Sequence, residues 1–201
     1  MKTAARRQQL KAALIEAAAR IIAADGLAGL KARTLADQAG CAVGAIYNVV
    51  ADLDELVLHA NTRTLSSLEA VLAAATRPGH GAKWAIEQLV ALALAYLGFA
   101  AAHRPQWRAL FDHRLQQGEE APEWYRRDQE RLFAYVERPI AALRPEIAAA
   151  ELSLLARSLF SAVHGLVALG LEEKLYTLPL PVLRRQVTTI VEAVGHGLRA
   201  I

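Results

Sequence analysis

The sequence predicts an all-α protein, and three observations carry that prediction. No stretch alternates β-branched and polar residues with a period of two, as a half-buried strand would. Alanine and leucine, both strong helix formers, dominate the composition. Apolar positions recur at three- and four-residue spacing from the N-terminus onward, as at Leu10, Leu14, Ala17 and Ile21. The organisation expected is a small three-helix module over residues 1–51, joined by a long helix to a larger helical bundle over residues 52–201.

The elements follow in order. Residues 6–24 form an amphipathic helix, closed by Asp25-Gly26. A short helix over 32–39 turns Leu35, Ala36 and Ala39 inward and stops at Gly40. A third, over 43–49, points Ile46 inward. Asp52, with Glu55 three residues on, is a capping-box-like start for a helix that runs to about residue 75, where Arg77-Pro78-Gly79 breaks it. Helices over 81–102, 105–115, 122–143, 145–171 and 181–200 complete the chain, four of them opened by a proline, which the first turn of a helix tolerates. Pro139 falls inside one and is expected to kink it.

Composition narrows the function classes. With 54% hydrophobic residues and 7 prolines in 201 residues, a disordered chain is excluded. The basic start, from Met1 to Arg7, lacks the apolar stretch of a secretory signal. The longest apolar run, residues 89–102, is shorter than the roughly 18 residues of a membrane span and reads as a buried helix, so no membrane partner is expected. A single cysteine, Cys41, permits no internal disulfide and fits a reducing cytoplasm.

Charge and aromatics divide the chain at the same place. Residues 1–50 hold seven Lys and Arg against three acids, whereas the remainder holds sixteen against seventeen. Eleven of the twelve aromatic residues lie beyond residue 80, leaving only Tyr47 in the first fifty. The positive excess sits where a polyanion could use it.

The stretch "LADQAGCAVGAIYN", Leu35 to Asn48, shows what the N-terminal module is for. Two short helices joined by a tight glycine turn, with small residues at their crossing, make a helix–turn–helix. Ala36 and Gly40 permit close approach, and Cys41 and Ile46 plug the space beneath. The second helix is then free to enter a DNA major groove. Small side chains at Ala42, Gly44 and Ala45 bring the backbone near the groove floor, and the methyls of Val43 and Ala45 suit thymine. Tyr47 and Asn48 can reach phosphates, with Arg6, Arg7, Lys31, Arg33 and Thr34 as further contacts. The competing reading of Tyr47 is an aromatic that closes the small core; Cys41 reads as a core plug rather than a redox sensor.

Residues 14–56 resemble the DNA-binding domain of the TetR family of transcriptional repressors. The resemblance lies in the acid–glycine pair Asp25-Gly26, the run from Arg33 to Gly40, the run from Gly44 to Asn48, and the capped start from Asp52 to Leu56. Four positions depart from it. The serine and lysine common at the start of the third helix are Ala42 and Val43, a usual aromatic is Val50, and a usual lysine is Leu53. Each lost phosphate contact would lower the salt slope of binding by about 0.9, with Arg6, Arg7, Lys31 and Arg33 as replacements. The second part resembles the family's WHG-type C-terminal domain through "HRPQWRALFDHR", "PEWYRRDQ" and "SAVHGLVAL".

The resemblance implies a homodimer on a palindromic operator, released by a small apolar or amphipathic ligand. The aromatics are first of all core, and the implied pocket draws on Trp84, Phe99, His103, Trp107, Phe111, Trp124, Tyr125, Phe160 and His164. His164, among Phe160, Val163 and Val167, reads more readily as a hydrogen-bonded core histidine than as a ligand contact. Two wide apolar stripes near the C-terminus predict an intermolecular four-helix bundle through Leu155, Leu159, Ala162, Leu166, Leu183, Val187, Ile190, Val194 and Leu198. No histidine pair has metal-ligand spacing, and no phosphate loop or nucleophile elbow occurs, so no enzyme, metal or cofactor is expected. Two other readings stay open: a ligand-independent activator, and a helical small-molecule-binding or catalytic protein whose helix–turn–helix is vestigial.

Overall fold

The computed structural model describes residues 2–115, 120–172 and 178–200, and among these it is helical with no strand. The helices are α1 (Lys2–Asp25), α2 (Ala32–Ala39), α3 (Val43–Ile46), α4 (Leu53–Ala75), α5 (Gly81–Ala102), α6 (Arg104–Asp112), α7 (Glu123–Leu143), α8 (Ala149–Leu171) and α9 (Leu180–Ala200), with a single 3₁₀ turn at Leu27–Gly29. By compactness the chain divides into residues up to Ser67 with His103–Asp128, and Leu68–Ala102 with residues 129–201.

Four element bounds differ from the sequence expectation by three residues or more, one of them the end of α6, at Asp112 rather than 115. α1 begins at Lys2 rather than residue 6, because nothing in its alanine-rich start breaks a helix. α3 ends at Ile46 rather than 49, since the chain beyond it tightens: Asn48 N–H donates to Ala45 O at 3.3 Å and Val49 N–H to Ile46 O at 3.0 Å. α8 begins at Ala149 rather than 145, because Arg144 and Ile147 belong to a separate turn before an extended Ala148. Pro139 lies inside α7 without ending it.

The first unit is built on the faces the sequence predicts. Leu14, Ala17, Ala18 and Ile21 of α1 pack with Leu35 and Ala36 of α2, Ile46 of α3, Val50, and Leu56 of α4. Val50 and Leu53, two of the departures from the family pattern, go into or against this core, which is why neither is polar. The α2–α3 turn needs its glycine: Gly40 has φ +67°, and Cys41 N–H reaches back to Ala36 O at 3.0 Å while Gly40 N–H donates to Asp37 O. Asp52 caps α4, accepting from Glu55 N–H at 2.8 Å. The Glu55 carboxylate returns to Ala51 N–H at 2.8 Å, one residue earlier than in a strict capping box, and also binds Lys11 of α1. α6 packs on α1, and its Ala109 joins Ile22, Val57 and Ala60 in a second small cluster. There the buried Asn61 amide donates to Ala109 O at 3.1 Å.

In the second unit α5 lies chiefly against α9, and α8 packs on both. α5 buries Leu89, Leu92, Tyr96, Leu97 and Phe99, while α9 buries Leu183, Val187, Val191 and Leu198. Close approach is enforced by glycine: a Cβ on Gly195 would sit 2.9 Å from Ile86, and one on Gly170 would sit 2.6 Å from Leu183. By length and composition α5 and α8 are each apolar enough to cross a membrane, so the run at 89–102 understated α5. The most apolar window of α5 is more than half covered by its own chain; that of α8 is only 33% covered.

Candidate nucleic-acid interface and regulatory region

The helix–turn–helix presents a surface whose make-up is set from below. Leu35, Ala36 and Ile46 are buried and orient the two short helices, so the residues between and beside them face outward. Ala42, Val43, Gly44, Tyr47 and Asn48 are exposed, and Ala45 is half-buried. Tyr47 is 52% exposed, which removes the reading in which it closes the core. Cys41 is partly buried and packs against the core cluster, as a plug does.

Gly44 is informative because nothing inside the chain requires it. A Cβ built there meets no atom within 4 Å, and its φ is not in the left-handed region. A glycine in a helix costs about 0.5–1 kcal/mol relative to alanine. The small residue therefore has no internal beneficiary. Around this surface Arg6, Arg7, Lys31 and Arg33 are exposed and Thr34 is half-buried.

The nine expected pocket residues fall into separate groups. In the first unit, Trp107 and Phe111 meet edge-on with ring centroids 5.7 Å apart, four residues apart on α6 as their spacing requires. Trp124 stacks on His59 at 4.7 Å and lies edge-on to Tyr125. His103 is the N-cap of α6 and its carbonyl accepts from Trp107 N–H at 2.8 Å. In the second unit, Phe160 packs on both His164 and Tyr96, and the Tyr96 hydroxyl lies 2.7 Å from His164 Nδ1. Phe133 meets Phe160 edge-on, Arg157 lies over Phe133, and Phe99 is buried.

Trp84 lies in the first turn of α5. Its indole N–H donates to Arg77 O at 3.2 Å and Arg138 lies over its ring. The open cleft beside it, about 190 Å³, falls below the usual size of a small-molecule site. Sequence reasoning placed Tyr96 and Phe133 in the core and passed over His59. The one signal for His59 was its position four residues after Glu55 on one helix face.

His164 is held below its ordinary value of 6.5 because burial penalises the imidazolium. His59 is shifted the same way, by burial first and then by the Lys11 charge. An unfolded chain protonates these histidines before the folded one does. Their contribution to stability is therefore present above pH 6.5 and is lost as pH falls below it. The thermal midpoint is expected to drop between pH 7.5 and pH 5.5, and to drop less in His164→Gln. Equal drops in melting curves of both proteins would exclude His164 as a contributor.

Four of the nine expected dimer residues lie inside their own chain's core. Leu159, Leu183, Val187 and Leu198 are buried within their own chain, because these positions form the inward side of α8 and α9. Ala162 and Ile190 are exposed, and Leu155, Leu166 and Val194 are half-buried. The outward side of α8 runs through Leu154, Ser158, Ser161, Ala162, Gly165 and Leu169, with Leu154 66% and Leu169 54% exposed.

Comparison with known proteins agrees with this architecture. The family described as tetracyclin repressor-like, C-terminal domain, matches residues 89–194, more than half of the chain. A Rhodococcus sp. RHA1 protein of unknown function is 24% identical, over 94% of this chain and 95% of that one, with a TM-score of 0.71. A Pseudomonas aeruginosa PAO1 protein described as a candidate transcriptional regulator is 26% identical, over 94% and 90%, with a TM-score of 0.62. SCO7222, a TetR from Streptomyces coelicolor, is 19% identical over 94% and 96%, with a TM-score of 0.62. No curated protein matches the chain.

Proposed function

We propose, from the premise that this chain belongs to the TetR family of DNA-binding transcriptional regulators, that it is a cytoplasmic repressor. It binds a near-palindromic operator as a homodimer and leaves it when a small apolar or amphipathic ligand occupies the helical region. The observation that carries this reading is the surface at residues 42–48. Buried Leu35 and Ile46 hold exposed Val43, Gly44, Tyr47 and Asn48 outward, and Gly44 has no use within the chain. In this reading Tyr47 and Asn48 set depth and register on the groove, and Arg6, Arg7, Lys31, Arg33 and Thr34 approach phosphates.

The dimer reading is supported by α8. An apolar helix whose own chain covers only a third of its most apolar window needs another cover, and a second copy supplies it with the same face. The ligand reading is supported by the aromatic cluster of Tyr96, Phe133, Phe160 and His164, apolar with one polar pair at its centre. A ligand releases DNA only as far as it prefers the state that fits the operator poorly, and DNA weakens the ligand by the same factor.

Selection of bound duplexes from a random DNA library tests the reading. An enriched palindrome is expected, and with it a band shift that candidate ligands reverse. Tyr47→Ala is expected to lower affinity for operator and random DNA alike by about fivefold per protomer, the value of roughly one hydrogen bond of 1 kcal/mol, and by about thirtyfold for the dimer. Unchanged affinity in a titration of that variant would take Tyr47 out of the interface.

A further inference from the structure

The surface offered at residues 41–49 contains no lysine, arginine, glutamine or acid. What it exposes is the methyl-bearing Ala42 and Val43, the bare backbone of Gly44, and the polar tips of Tyr47 and Asn48. Guanine in the major groove is most often read by a bidentate arginine or lysine at O6 and N7, and α3 has neither. The one base group there that suits an alkyl side chain is the thymine C5-methyl, and an asparagine amide matches adenine N6 and N7.

The nearby cations stand outside α3: Arg6 and Arg7 on α1, Lys31 before α2, and Arg33 on it, all exposed. They supply attraction to phosphates without sequence preference. Val43 is 42% exposed although it is a large apolar residue, and the open space over Gly44 lets a groove floor come close beside it.

We infer that α3 reads A·T pairs, with thymine methyl groups against Val43 and Ala42 as the main source of its base specificity. This rests on the DNA-binding function proposed above. The operator half-site then has thymines beneath α3, and removing one methyl removes recognition without altering a hydrogen bond.

The test uses the full-length protein and the selected operator, with each thymine replaced in turn by deoxyuridine at both symmetry-related positions. At one or two positions the loss is expected to be about fourfold per methyl, from about 0.8 kcal/mol per buried carbon group, and about fifteenfold for the symmetric pair. In Val43→Ser, a change at an exposed position, the penalty at one of these positions disappears while the others persist. Uracil operators bound within twofold of the thymine ones at every position would overturn the inference and leave DNA reading intact. A uracil penalty that is the same in Val43→Ser also overturns it. If the library yields no enriched sequence, the repressor function falls together with it.

Discussion

Replacing Leu154 and Ile190 together by glutamate is expected to yield a monomer and to lower operator affinity by about a thousandfold. Both side chains are outside the chain's own core, at 66% and 42% exposure, so the fold is spared. In the dimer each protomer contributes two carboxylates to an apolar interface. Burying an ionised carboxylate without a partner costs several kcal/mol, and the symmetric copy adds like charge. The loss on DNA follows from valency. A dimer places two reading heads on one duplex, so the second binds at high effective concentration, whereas a monomer keeps only a half-site. Specific dimers typically bind at 10⁻⁸ M or tighter and non-specific contacts at about 10⁻⁴–10⁻⁶ M, which sets the expected scale. Sedimentation of the double variant decides the matter: a protein that remains dimeric has its interface elsewhere.

Ile46→Ala is expected to destabilise the helix–turn–helix by about 2–4 kcal/mol and to abolish operator binding at 37 °C. α3 has only four residues in regular helix, too few to stand by backbone hydrogen bonds alone. Ile46 is fully buried among Leu14, Ile21, Leu35 and Val50, so it is the main anchor of the reading surface. Truncation leaves a cavity on which the surrounding side chains can collapse only in part. The expected sign is local: amide exchange speeds up over residues 35–50 first, while α5 and α9 keep their protection. A stability change below about 1 kcal/mol would mean that α3 is held by something other than this side chain.

The two experiments probe features of different legibility. Ile46 and its partners were visible at once, because residues 14, 17 and 21 repeat at helical spacing and glycines mark the turns. The same holds for the Asp52 cap, whose signature is three residues long and local. The exposure of Val43, Gly44, Tyr47 and Asn48 was legible too, since their neighbours Leu35 and Ile46 had to go inward. By contrast, Leu183 and Val187 looked the same as Ile190 in the sequence. All three are apolar and sit in one C-terminal helix, and periodicity gives a stripe without saying what covers it.

Helix type, order and turns were therefore determined by the sequence alone, since they depend on contacts within three to five residues along the chain. Tertiary structure decided everything that needed a partner distant in sequence. It joined residues 103–128 to the N-terminal module through Ala109 and the Asn61 amide. It set Tyr96 opposite His164, 68 residues away, and held Trp84, in the first turn of α5, against Arg77 O. It turned Leu183 inward, against Gly170 of α8, and Leu154 toward solvent. An apolar side chain gains almost the same free energy from any dry neighbour, so composition cannot choose between neighbours; only the packing of whole helices, with glycines such as Gly195 setting the closest approach, does so.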